Sequence, residues 1–429
     1  MRKRSIPPAT CLWLLALALL LTLAATPCAR AASRILAPDI KSLRVVVGDD
    51  FLSPPVLTMG RGEVLNVSFD QMSHRYHRYV YRLELCDADW QPATGLFESD
   101  FLDGFNDNPI EDYAESEGTN VLYTHYSLQL PNERCRPKLS GNYRLHILDD
   151  DNGGQEVAVA EFCIVRPMVL VGLGVTTNTD IGLNHTAQQV AMSVKYQNLR
   201  VTRPDEQLRT IVRQNNREDT ERRDVPPTYS TAQGLSWEHC QGLIFPGGNE
   251  YHKFEMLDND HPSMGVDRIT WDGDNYHAYP VTCEPRRHYL YDEDADGAYY
   301  IRNSDNWHND TQSDYLWVHY KLHTLPGTPP VEGAAVVLQG QWTVEPQENY
   351  VADYDAEDRS YNVAVMQKQG YYNYQFLLRD LDGTTHPMPE EGNFYQTENR
   401  YQAFVYYRPQ GGRSWLLVGY QQVVFRSSP

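Results

Sequence analysis

The sequence predicts an all-β protein of about three tandem antiparallel β-sandwiches. Three observations carry this. Beyond the N-terminus no stretch sustains the 3.6-residue apolar period of an amphipathic helix, and short alternating runs dominate instead. Turn signals separate those runs at regular intervals. Tyrosine, a strand-favouring residue, occurs 29 times in 429 residues.

The first 31 residues stand apart. Arg2, Lys3 and Arg4 form a basic head, an apolar run follows from Cys11 to Ala25, and Ala29-Arg30-Ala31 supplies a small-residue cleavage pattern. That is the order of a secretory signal. The apolar run is shorter than the ~20 residues needed to span a bilayer. Cleavage is expected after Ala31, giving a soluble exported product. It removes four basic residues and no acid, so the formal charge of −20 becomes −24. Such a surface repels nucleic acid and anionic lipid, which excludes both as partners. No other apolar stretch is long enough to cross a membrane.

The first sandwich is expected over 34–167. In YVYRLEL, Tyr79, Tyr81, Leu83 and Leu85 alternate with Val80, Arg82 and Glu84. NYRLHIL, DDDNGG and EVAVAEFCIV read as two strands around an Asn152-Gly153 turn. A middle β-rich domain is expected over 168–325, with the polar stretch Arg203 to Pro227 as long loops. FPGGNEY, Phe245 to Tyr251, reads as a connector into the strand HKFEML, since Pro246-Gly247 is a strong turn signal. The Pro/Gly-rich PGTPPVEG then marks a linker, and a C-terminal sandwich is expected over 326–429. There NVAVMQ and YYNYQFLL flank the turn QKQG, and Asp382-Gly383 marks the next turn. The sandwiches are expected to be immunoglobulin-like.

Five cysteines follow the signal: Cys86, Cys135, Cys163, Cys240 and Cys283. None has metal-ligand spacing. Export permits disulfides, and the odd count leaves at least one thiol unpaired. Buried thiols are the simplest reading, and Cys240 with Cys283 is the first pair to test.

No HExxH, GxSxG or phosphate-cradling glycine loop is present, which argues against metalloprotease, α/β-hydrolase and P-loop chemistry. His74 and His77 point to opposite faces if on a strand, the wrong geometry for a shared metal. In CDADW, Asp87 and Asp89 share a strand face and form an acid/base or metal pair, or they cap a turn through backbone N–H groups. DEDADGAYYIRN, Asp292 to Asn303, fills the first half of a calcium loop through Asp292, Asp294, Asp296 and Gly297. Asn303 stands where a bidentate glutamate belongs, and strand-like HYLY and AYYI replace the flanking helices. It reads as an acidic turn between strands. No catalytic, cofactor-binding or metal-binding residue is assigned, and no enzyme is expected.

AVVLQGQWT and YNVAVMQKQGYYNYQFLL resemble the glycogen-binding and isoamylase N-terminal type of sandwich. That likeness implies glucan binding on exposed aromatics, with Trp342 and Trp415 as the candidate stacking faces. The other reading makes both core or edge residues, because fold likeness alone establishes no sugar site.

Several runs in order resemble one family, the plug protein of the bacterial type IX secretion system. They are YRLELCDADWQP, FLDGFNDNPIEDY, YTHYSLQLPN, LSGNYRLHILDDD, FPGGNEYHKFEM, DYLWVHYKL and QGYYNYQFLL. The likeness runs from about Ile40 to Tyr420. It implies a non-enzymatic protein of the Bacteroidota type, on the periplasmic side of the outer membrane. Its implied partner is a large outer-membrane β-barrel translocon, whose periplasmic opening it covers when no cargo-shuttle partner is bound. The resemblance brings no catalytic residue and no cofactor. The alternative is a periplasmic or surface glycan-binding β-sandwich protein.

Overall fold

Strands supply nearly all regular structure in the computed structural model, which describes residues 33–197 and 199–427. The expected signal peptide and its cleavage site lie outside the described residues. Three apolar cores form, each between two sheets.

The first core draws on residues 35–164. One sheet runs in the order Arg34–Ile35, Gln155–Val165, Gly141–Asp149, Tyr79–Cys86, Asn108–Pro109, and Val56–Thr58 adds in parallel to Gln155–Val165. The other runs Ile40–Val47, Leu65–Gln71, Thr124–Leu130, Asp112–Glu115. Alternation in YVYRLEL places Tyr79, Tyr81, Leu83 and Leu85 in the core. The DDDNGG turn closes its hairpin with both Gly153 and Gly154 at positive φ.

A second core draws on residues 169–245 and again on 401–425. Leu170–Thr176, Ala187–Lys195, Gly234–Trp237 and Tyr229–Thr231 form one sheet. Arg217–Arg223, Leu208–Gln214, Asn399–Tyr407 and Leu416–Phe425 form the facing one. The third core, residues 254–388, is inserted between these two contributions. Its sheets are built on Gly370–Asp380 and on the run Val266–Trp271, Tyr276–Pro280, Tyr315–His323, Ser360–Lys368, Asp353–Asp355.

This arrangement departs from the sequence expectations in four places. First, the segment 326–429 is divided between two cores. The strand Leu208–Gln214 needs an apolar partner on its other edge, and Asn399–Tyr407 supplies it over seven paired residues, Leu208↔Tyr407 to Gln214↔Tyr401. Second, Arg203–Pro227 is not a long loop. It holds the hairpin Leu208–Gln214 and Arg217–Arg223, turning on Asn215 and Asn216 with φ of 52° and 56°. Several of the charges that made it look unstructured pair along the strand, Arg217 with Asp219 at 2.5 Å and Arg223 with Glu221. Third, QKQG is a corner between sheets: Ser360–Lys368 and Gly370–Asp380 lie in different sheets. A Cβ on Gly370 would sit 2.4 Å from the Tyr300 carbonyl oxygen, so the close crossing needs glycine. Fourth, HYLY forms no strand, and Leu290 is 80% exposed.

Candidate functional site

The sequence motifs converge on the joints between cores. Where the first core meets the third, Asp70 on Leu65–Gln71 faces Lys368 at the QKQG corner. Their Oδ2–Nζ distance is 2.6 Å, and each side chain is 1% exposed. Tyr315 donates its hydroxyl to the same oxygen at 2.7 Å, and His125 Nδ1 lies 2.6 Å from Oδ1. The Lys368 ammonium also donates to the Asp310 carbonyl at 2.6 Å and lies 4.0 Å from the Tyr123 ring centroid. Burial by itself raises Asp70, but Lys368 and His125 outweigh it and hold the carboxyl at about 2. Beside it, Asp314 accepts the backbone N–H groups of Asn120 and Val121 at 2.8 and 3.0 Å.

CDADW forms the joint between the first and second cores. Asp87 Oδ1 accepts from the N–H groups of Asp89 and Gln91 at 2.8 and 2.9 Å, which makes it a turn former. Trp90 follows in left-handed backbone, φ 59°, and its ring is 6% exposed. Asp89 does not pair with Asp87. It reaches across to Arg209 and to Arg223, the latter at 3.3 Å. Both arginines belong to the charged hairpin Leu208–Gln214 and Arg217–Arg223. Behind the turn, Tyr406 donates to Asn142 Oδ1, and Asn142 Nδ2 donates to the Asp87 carbonyl at 2.9 Å.

FPGGNEY and DEDADG meet where the second and third cores join. A Cβ on Gly247 would lie 2.0 Å from the Phe394 carbonyl oxygen, so only glycine allows this approach. Asn249 donates to the Glu391 carbonyl at 2.7 Å. Glu250 accepts through Oε1 from the Tyr289 hydroxyl at 2.6 Å and from the Glu398 N–H at 3.1 Å. Asp294 accepts from the Tyr251 N–H and from the Asp296 N–H, the latter at 2.8 Å. Asp296 lies 3.3 Å from Arg400, and Asp292 holds Lys253 at 2.5 Å. Burial pushes Glu250 and Asp294 up to about 7 and Asp296 up to about 6, and neighbouring carboxylates add to each shift.

The acidic loop is therefore held by protein groups, each aspartate by its own partner. Adding calcium is expected to leave the melting temperature unchanged, as differential scanning fluorimetry with calcium and then with EDTA would show. A rise of several degrees, lost in Asp294→Ala, would overturn this.

The other sequence candidates are placed as follows. Trp342 is 6% exposed inside the third core, packed on Tyr320, Tyr350 and Tyr372, with Nε1 donating to the Asn373 carbonyl at 2.8 Å. Trp415 is 9% exposed, with the guanidinium carbons of Arg408 and Arg209 at 4.5 and 5.8 Å from its ring centroid. Neither offers the open stacking face that the glucan expectation needs; both are structural aromatics. All five cysteines are free thiols, and all but Cys240 are buried. Cys283 Sγ contacts the Tyr374 hydroxyl at 3.3 Å instead of Cys240. His74 and His77 do not share a site. His74 Nε2 is 2.9 Å from Ser116 Oγ, and His77 joins Asp149 and Asp151 with ligand atoms within 4.8 Å of one another. The three are already tied to the hairpin: Asn152 Nδ2 donates to Asp149 and the Arg78 N–H to Asp151. In FLDGFNDNP, Phe101 and Leu102 enter the core, while Phe105 is 76% exposed.

A family model for the first domain of the type 9 secretion system plug protein matches residues 40–166, the first core. A hypothetical protein from Parabacteroides merdae, known from its crystal structure, is 34% identical. The match covers 92% of this chain and 99% of that one, with a TM-score of 0.88. The chain belongs to the type 9 secretion system plug protein family. The joints described above hold together the fold of this plug-family chain. A Salmonella alpha-2-macroglobulin variant, 10% identical over 91% of this chain and 33% of that one, reaches a TM-score of only 0.18 and carries no argument. No curated protein matches the chain. Family membership associates the chain with a type 9 secretion system component. Among the described residues no helix is long and apolar enough to cross a membrane.

Proposed function

We propose that this chain is a non-enzymatic plug that closes the periplasmic side of the large outer-membrane translocon barrel of the type 9 secretion system. The family match over the first core carries this reading. The architecture supports it physically. A stopper must keep its shape while docked, and the three cores form one compact unit, with buried ion pairs where the first and second cores meet the third. The Asp70–Lys368 joint has no solvent access through which to loosen. On this reading the protein is exported and works in the periplasm against the outer membrane.

The test is mild detergent extraction from the native host followed by affinity purification of the tagged chain. The expected result is a large β-barrel protein recovered with it, and an outer membrane made leaky to large solutes when the chain is deleted. Recovery of the chain free of any barrel, with an intact permeability barrier in the deletion strain, would overturn the reading.

A further inference from the structure

An open cleft lies between the first and third cores. The loop after Ile40–Val47 comes from the first core and places Asp49, Asp50, Phe51 and Leu52 on one wall. The opposite wall is the sheet edge of the third core, where Tyr299–Ile301 pairs with Gly370–Asp380. Arg400, from the second core, ties the loop down by donating to the Leu52 carbonyl. The space enclosed is ≈ 260 Å³.

Its lining is chemically selective. Tyr300 and Tyr371 are direct cross-strand partners, so their side chains lie side by side on one face of the sheet. Phe51 meets the Tyr300 ring at 4.6 Å and 76°. Tyr299 anchors this wall to the first core by donating to the Leu43 carbonyl at 3.1 Å. This bond holds in place the strand that carries Tyr300. Asp49 and Asp50 are exposed at the rim. Asp50 uses Oδ1 to accept the N–H groups of Leu52 and Ser53 at 3.0 and 3.1 Å, which sets the shape of the loop.

The neighbouring cations are already matched. Lys253, on the adjacent strand His252–Met256, is bonded to Asp292 at 2.5 Å, and Arg400 lies 3.3 Å from Asp296. Aromatic faces beside carboxylates in a half-enclosed space attract a cation through the ring quadrupole and through charge. A chain of net charge −20 favours the approach of a basic group from any distance within the screening length.

We propose that this cleft is an aromatic cage that receives one basic side chain, arginine or lysine, from a partner protein. It rests on the plug reading only for the owner of that side chain, which would then be the barrel. The binding chemistry stands or falls independently.

The probe is N-acetyl-arginine methylamide, with the citrulline analogue as its uncharged isostere, followed by saturation-transfer NMR on the purified protein. Arginine-side-chain signals are expected, with citrulline at least about tenfold weaker. Phe51→Ala removes a cage wall and should abolish the transfer. The Asp49→Asn/Asp50→Asn pair should weaken it about tenfold or more. The Asp50→Asn side chain keeps the acceptor oxygen that shapes the loop, so this pair leaves the fold intact, which an unchanged melting temperature verifies. Equal signals from arginine and citrulline, no transfer at all, or full transfer in the Asp49→Asn/Asp50→Asn protein would each overturn the proposal. Co-purification with the barrel is read separately. Loss of barrel binding in the wild-type chain counts against the plug reading, whereas loss only in the Asp49→Asn/Asp50→Asn protein assigns the cage to that contact.

Discussion

Replacing Lys368 by Met should lower the stability of the chain by about 3–5 kcal/mol, because it strips the countercharge from a buried aspartate. Asp70 is 1% exposed, and water cannot reach it to compensate. His125 and the Tyr315 hydroxyl remain as partners, which places the effect toward the lower end of that range. The decisive comparison is the double variant Asp70→Asn/Lys368→Met. An asparagine in place of Asp70 accepts from His125 through Oδ1 and donates to the rotatable Tyr315 hydroxyl through Nδ2, so no buried charge is left over. The double variant should therefore be more stable than Lys368→Met alone, a reversal of additivity that marks direct coupling. Urea denaturation midpoints of the wild type, both single variants and the double variant close the cycle. A loss below about 1 kcal/mol for Lys368→Met would mean the pair behaves as an exposed surface bridge, and the rigid-joint argument would fall.

The same joint shows what the sequence exposes and what it hides. Strand identity in the first core was legible because Tyr79, Tyr81, Leu83 and Leu85 recur at every second position with Arg82 and Glu84 between them, and a half-buried strand leaves that imprint. The CDADW turn was legible because an aspartate accepting nearby N–H groups is a local interaction. The charged hairpin Leu208 to Arg223 was not legible. Arg217 pairs with Asp219 and Arg223 with Glu221, and Arg209 reaches Asp89, 120 residues away. Burial through long-range pairing erases the polar-out signal on which periodicity depends. The return of Asn399–Phe425 to the second core was hidden for a related reason. Pairing between strands as far apart in the chain as Leu208 and Tyr407 has no local signature, and an inserted core looks in sequence like a third tandem unit. QKQG reads as a turn between two strands, with nothing to single out Lys368. Only the structure shows it as the ammonium buried between two cores. The aromatic cage was equally invisible, since Phe51 and Tyr371 are brought together by the packing of separate cores.

Acidification from pH 8 to about 5 should stabilise the joint between the second and third cores, contrary to what a strongly acidic chain would lead one to expect. Glu250 carries the argument. It is 1% exposed, and burial raises its carboxyl from 4.5 to about 7, with Asp294 and Glu398 adding repulsion. The sign follows from proton binding. Between the unfolded value near 4.5 and the folded value near 7, the folded state holds the proton more tightly. Stability is therefore full below about pH 4.5 and is lost as pH rises through 7. Asp294 and Asp296, raised to about 7 and about 6, act in the same direction. Asp70 and Glu391, both held at about 2, act oppositely and only at lower pH: their contribution is lost as pH falls from about 4 toward 2. The optimum should lie between these windows. Glu250→Gln isolates the effect of one group. Gln Oε1 keeps the bonds from Tyr289 and the Glu398 N–H, and the amide faces Asp294 and Glu398 without repulsion. The variant should be more stable than wild type by about 2–3 kcal/mol at pH 8 and nearly equal to it at pH 4.5. Denaturation midpoints of the two proteins across that range test this, since other titrating groups cancel in the difference. A constant difference, or a variant that loses stability at pH 8, would show that Glu250 is ionised in the folded joint and that its hydrogen bonds outweigh its burial.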